Sequence, residues 1–218
     1  MSVIETREKL LGTALELIWQ SNYSCVGVNE ICKQAGVTKG AFYHHFDSKA
    51  SLFCEATSYY WLVIKKDLDS IFSPLNSPLQ QLENLIHFLF KSKLTDDNTG
   101  VRGCPFFNVG AQIGTNDEKV IEALKILSET AISYNLALIN ALNAGGYLEP
   151  VSDPAQQARQ MYHYIHGLMS YAYVQPDTST IRQDLPEGLY RLLGVKKMYW
   201  FSMEPNWEAE PTLIKNRA

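Results

Sequence analysis

Ala35-Gly36-Val37-Thr38-Lys39-Gly40 is a chain reversal with a predicted helix on each side of it. Upstream, Val28 to Ala35 puts Ile31, Cys32 and Ala35 on one face at helical spacing. Gly36 ends that helix, because glycine enters the left-handed conformation without a Cβ clash. Val37 is an apolar plug between the two helices, and Thr38 brings a hydroxyl that caps the next one by accepting a backbone N–H. That third helix runs from Lys39 to His45. Ala41, Phe42 and the following Phe46 fall on its inner side, leaving Thr38, Lys39, Gly40, Tyr43 and His44 to face out. Gly40 has no side chain, so a phosphate or base edge can approach the backbone there. Two short helices around a Gly-containing turn form a helix-turn-helix, whose second helix enters the major groove of DNA.

Outward from this unit the pattern stays helical, with no run of alternating strand residues. A first helix spans Val3 to Gln20, with Leu10, Leu11, Ala14, Leu15, Leu17 and Ile18 as its apolar stripe. Asp47 or Ser48 caps a fourth helix, Lys49 to Ile71. Pro74, Ser77 and Pro78 break the chain before an amphipathic helix from Leu79 to Lys93. Residues 95–103 read as a loop, and Cys104 to Ile113 as a short buried helix. Asn116 or Asp117 caps a long helix ending near Asn143, where Gly145-Gly146 stops it. Asp153 caps the next, with Pro154 at its first position, to about Val174. Leu185 to Leu193 is the last. The expected fold is all-α: an N-terminal three-helix helix-turn-helix domain over residues 1–48, a larger helical domain over 49–194, and an aromatic tail over 195–218 without clear periodicity.

Hydrophobic residues are 46% of the 218, enough for a sizeable core. The four cysteines, Cys25, Cys32, Cys54 and Cys104, have irregular spacing that supports neither a disulfide framework nor a zinc site. No secretory leader is visible in Met1 to Arg7, and no stretch approaches the roughly 20 consecutive apolar residues of a membrane span, so a cytoplasmic protein without membrane contact is expected. Net charge is −4. In the N-terminal segment Arg7, Lys9, Lys33, Lys39 and Lys49 are balanced by Glu5, Glu8, Glu16, Glu30 and Asp47. Any DNA binding must therefore rest on where the charges sit.

The run from Val28 to Lys49, with its turn, Tyr43, His44, Phe46 and trailing Lys49, resembles the signature of the TetR family of bacterial repressors over roughly the first fifty residues. The resemblance implies DNA contacts at Thr38, Lys39, Gly40, Tyr43, His44 and Lys49, with Tyr43 and His44 on phosphates. Val28 stands where the family often has threonine. The resemblance also implies a homodimer on a pseudo-palindromic duplex operator, an unidentified small-molecule effector, repression as the usual mode, and no cofactor. The dimer would form through the last two long helices, here Asp117–Asn143 and Pro154–Val174. Their stripes (Leu124, Leu127, Ala131, Leu138 and Leu142; Met161, Tyr164, Ile165, Leu168 and Met169) read equally as interface or as core.

Two places suggest where a signal enters. Cys104, in Arg102-Gly103-Cys104-Pro105, starts a predicted helix beside an arginine, an arrangement that favours thiolate. It reads either as an electrophile sensor or as a small packed residue. The second is an effector pocket. Trp61, Phe88, Phe106, Phe107, Tyr134, Tyr162, His163 and His166 lie on helices expected to converge, and they suit an apolar or aromatic molecule, although each also reads as plain core. His163 and His166 are three apart on one helix, yet no carboxylate or cysteine completes a metal site. No catalytic triad or phosphate-binding loop supports an enzyme. The remaining alternative is an interaction protein that keeps the fold without DNA binding.

Overall fold

The computed structural model describes residues 3–20, 26–93, 117–150, 152–172 and 179–201. Its helices are α1 (Val3–Gln20), α2 (Val28–Ala35), α3 (Lys39–His45), α4 (Lys49–Ile71), α5 (Pro78–Lys93), α6 (Glu118–Ala144), α7 (Pro154–Ala172) and α8 (Ser179–Leu193), followed by a 3-10 turn at Lys197–Tyr199. Among the described residues no strand forms beyond one antiparallel bridge between Leu148 and Val195. No helix among them is long and apolar enough to cross a membrane. The predicted helix over 104–113, with Cys104, Phe106 and Phe107, lies outside the described residues, as does Cys25.

Helix starts follow local chemistry. The Thr38 hydroxyl accepts from Ala41 N at 3.1 Å, and Ser48, not Asp47, caps α4 by accepting from Ser51 N at 3.0 Å. Ser77 and Gln80 form a reciprocal capping box: Ser77 N donates to Gln80 Oε1 at 2.9 Å, and Gln80 N donates to Ser77 Oγ at 3.3 Å. The box lets α5 begin at Pro78. Asp117 caps α6, and Asp153 accepts from Gln156 N at 2.9 Å ahead of α7.

Two hydrophobic clusters organise the chain, and α4 belongs to both. The first joins α1, α2 and α3 to Leu52, Phe53, Ala56 and Tyr60 of α4, and is closed by Val120 of α6. The second holds Leu68 and Ile71 of α4 with the inner faces of α5 to α8. Helices α6 and α7 pack together, as do α7 and α8, and α4 lies along α6.

One expectation changes, and two features the sequence left open take a definite form. The last helix starts at Ser179, six residues before the predicted Leu185, and runs through Pro186. A proline inside a helix costs about 3 kcal/mol. Ile181, Leu185, Leu189, Tyr190 and Leu193 are each at most 2% exposed, and burial of each is worth about 1.5–3 kcal/mol, so packing wins. The stripes of α6 and α7, which read equally as interface or as core, are used within the chain: Leu138, Leu142, Met161, Ile165 and Met169 are core, and Leu124, Leu127 and Ala131 line a cavity. Finally, residues 195–201 are packed on the helical body. Glu149 N donates to Gly194 O at 2.8 Å, Trp200 Nε1 donates to Val195 O at 2.8 Å, and Tyr190 packs against Trp200 at a tilt and edge-on against Phe201.

Candidate functional site

The α2–α3 reversal takes the geometry its glycine permits. Gly36 has φ 62° and ψ 38°, Val37 N donates to Cys32 O at 2.9 Å, and Gly36 N donates to Lys33 O at 3.2 Å. These paired bonds are the Schellman closure, which satisfies helix-end carbonyls. Gly27 precedes α2 without a side-chain cap, and Val28 is the first helical residue, so the hydroxyl that threonine would bring at Val28 is absent.

Helix α3 sits on this reversal with Phe42 fully buried and Phe46 2% exposed, while Ala41 is only half-buried. Thr38, Lys39, Gly40, Tyr43 and His44 are all exposed, and Lys49 is half-buried at the start of α4. Tyr43 is 55% exposed and holds its ring edge-on to Phe42 at 5.2 Å. A Cβ added at Gly40 would meet Thr38 Oγ1 at 3.7 Å, an ordinary contact. Internal packing does not require a glycine there, so the missing side chain matters only to something approaching from outside. Arg7 is used within the fold: it pairs with Glu55 and lies over the Phe46 ring at 5.6 Å.

About 16 Å along α4 from Lys49, at 1.5 Å of rise per residue, a cavity of about 520 Å³ opens between α4, α5, α6 and α7. Trp61, Phe88, Tyr134, Tyr162, His163 and His166 all line it. The Tyr134 ring is held between Trp61 at 5.7 Å and Phe72 at 5.3 Å, and its hydroxyl donates to Asp69 Oδ1 at 2.8 Å. Lys65 also binds Asp69, and the two hydrogen bonds hold that carboxyl below its ordinary range. Tyr162 stacks on His166 at 4.2 Å. Among the described residues no group of three or more His, Cys, Asp or Glu is placed to hold a metal.

Sequence reasoning missed Tyr60, Phe72, Lys125 and Ser128 on this wall. Tyr60 lies beside Trp61 on α4 and Phe72 directly follows that helix, a signal that was available. Lys125 and Ser128 lie on an exposed stretch of α6 and carried none. Of the cysteines, Cys32 is buried, which raises its thiol pKa. Cys54 is half-buried and donates to Lys119 O at 3.5 Å, tying α4 to the start of α6.

Known proteins share this arrangement. Residues 10–56 match the family model described as bacterial regulatory proteins, tetR family. The transcriptional regulator AcuR of Cereibacter sphaeroides is 32% identical over 148 residues, which cover 67% of this chain and 67% of AcuR. A TetR-family regulator from Agrobacterium tumefaciens superposes with a TM-score of 0.79 at 21% identity, over 87% of this chain and 98% of that one. SmeT, solved as a complex with triclosan, superposes with a TM-score of 0.71 at 19% identity, over 95% of this chain and 98% of its own. With a matching head, a relative aligned over two thirds of both chains and the same helical body behind it, this chain belongs to the TetR family and is a DNA-binding transcriptional regulator.

Proposed function

We propose that the protein is a repressor that binds a pseudo-palindromic operator as a homodimer and leaves it when a small molecule fills the cavity. Residues 1–48 form its DNA-reading head, 49–194 its effector and dimer domain, and 195–218 a C-terminal extension. Thr38, Lys39, Gly40, Tyr43, His44 and Lys49 meet the DNA; Trp61, Phe88, Tyr134, Tyr162 and His166 meet the effector. Cys104 and Phe107 keep their proposed effector roles from the sequence alone. The protein acts without turnover, on DNA in the cytoplasm.

The observation that carries this reading is the position of α4. Its first turns are locked in the head core through Leu52, Phe53 and Ala56, and further along Tyr60, Trp61, Ile64 and Leu68 wall the cavity. Lys49 and Trp61 are about 18 Å apart along the helix axis. A tilt of α4 forced by an occupant therefore moves the head, and in a dimer it changes the spacing of two α3 helices that must match one or more turns of DNA. The occupant must bind the tilted state better than the DNA-bound one, or it shifts nothing. The triclosan complex of SmeT supports an aromatic occupant in this fold.

The test is a mobility shift with DNA from upstream of the protein's own coding region at low salt. Wild type is expected to bind, with Tyr43→Ala and Lys49→Ala impaired while remaining folded by circular dichroism. Absence of wild-type binding at any salt concentration would refute the reading.

A further inference from the structure

The cavity has a charge preference, and the identities of its wall residues reveal it. Its four aromatic and aliphatic sides suit an apolar body, and about 520 Å³ is the range of a drug-sized ligand. Among the described residues that line it there is no Asp or Glu, whereas Lys125, His163 and His166 all do. Among the described residues, Asp69 and Glu122 stand outside the wall, each beside a lysine. Asp69 accepts from Tyr134 and Lys65. Glu122 lies 4.0 Å from Lys125 in a loose, exposed pair, of a kind worth little and easily exchanged. A cation entering this cavity would lose its hydration with no carboxylate among the described wall residues to replace it. An anion would meet one ammonium and two imidazoles.

These cationic and polar groups are gathered at one end. Asn135 Nδ2 donates to Ala158 O at 3.4 Å and sets the antiparallel register of α6 on α7. Running back along α6 and forward along α7 from that contact brings Ser128 and Lys125 level with Ile165 to Met169, and so with His166. The other end is walled by Phe72 and Tyr134, with the Tyr134 hydroxyl turned to Asp69. The cavity is thus polarised along its length.

We infer that the effector is an apolar weak acid, a monocarboxylate or its equivalent, bound with its anionic head at Lys125, Ser128 and His166 and its apolar body against the aromatic wall of Trp61, Tyr134 and Phe72. Lys125 is the residue that selects for charge; the imidazoles donate hydrogen bonds to the same head. This rests on the reading of the cavity as the effector site.

The experiment uses the full-length protein and three probes that share one body: 4-hexylbenzoate, 4-hexylbenzyl alcohol and 4-hexylbenzylamine, followed by calorimetry at pH 7. The benzoate should bind at least tenfold more tightly than the amine, with the alcohol between them. Lys125→Met keeps the aliphatic stem and removes the charge. It should cut the benzoate-to-alcohol preference at least threefold and leave the alcohol's affinity within twofold. An amine that binds as tightly as the benzoate, or a preference unchanged in Lys125→Met, overturns the charge assignment while leaving the cavity as a site. Failure of all three probes to bind, or binding indifferent to Trp61→Ala in a variant of unchanged Tm, overturns the cavity reading together with the assignment.

Discussion

Tyr43→Phe deletes one oxygen from the exposed side of α3. The ring's edge-on contact with Phe42, at 5.2 Å and 82°, needs no hydroxyl, and the side chain is 55% exposed, so the isolated fold should keep its Tm within about 1 °C. The cost falls on DNA. A hydrogen bond to a charged phosphate is worth about 1.5 kcal/mol at the low end of its range. A two-fold dimer loses two such bonds, one in each half-site, too far apart to couple, so the losses add to about 3 kcal/mol. That converts to an operator affinity about 150-fold weaker. Because the lost group is uncharged, no counterion is released or retained, and the slope of log affinity against log salt should stay as in wild type. Fluorescence anisotropy on operator DNA over a salt series, with thermal melts in parallel, reads all three quantities. An affinity within threefold of wild type would refute the assignment of Tyr43 to a phosphate, and a loss of affinity accompanied by a several-degree fall in Tm would move the effect from the contact to the fold.

Thr38→Ala removes the cap on Ala41 N and should destabilise the protein by about 1 kcal/mol in thermal or urea unfolding, whereas Thr38→Ser should lose only a few tenths; equal losses would show that the hydroxyl is not the stabilising group. At Gly188 a Cβ would stand 1.8 Å from Tyr164 Oη, which now donates to Asp184 O at 2.6 Å. Gly188→Ala should therefore be about neutral in wild type, the broken hydrogen bond offsetting the helix-propensity gain, and should stabilise by about 1 kcal/mol in a Tyr164→Ala background. An equal gain in both backgrounds would contradict this packing. The Asp69 carboxyl is held low by Lys65 first and Tyr134 second, so its stabilising effect is present at neutral pH and is lost as pH falls through that lowered folded value. Tyr134→Phe should raise the carboxyl's titration midpoint toward the ordinary range by NMR, and an unmoved midpoint would leave Lys65 as its sole partner.

The head was legible because its determinants are local. Gly36 sets the backbone of the turn, Thr38 and Ser48 bring their own caps, and Phe42 and Phe46 repeat at helical spacing, so α1 to α4 have the boundaries expected from sequence. The start of the last helix was not legible for the opposite reason: the local cost of Pro186 is real, and only the burial of Ile181 and Leu185 against distant helices outweighs it. The cavity was half legible. Aromatic residues on α4, α6 and α7 were candidates, but a cavity is a gap between helices, and periodicity does not distinguish a side chain that fills space from one that borders it. Lys125 and Ser128 look like ordinary surface residues until the register of α6 on α7 brings them to its edge. The stripes of α6 and α7 were ambiguous for the same reason, since burial by a neighbouring helix and burial by a second chain ask for the same residues.

The sharing of α4 between two clusters, with Val120 of α6 completing the first, bears on recombining this regulator with others. A graft that took another protein's head on a cut before Lys49 would place foreign side chains against Phe53, Ala56, Tyr60 and Val120, which have been shaped to fit α1 and α3. Exchange of operator specificity is better attempted on the outward face of α3 alone, where Lys39, Tyr43 and His44 can be rewritten without disturbing the Thr38 cap or the joint through which the signal must travel.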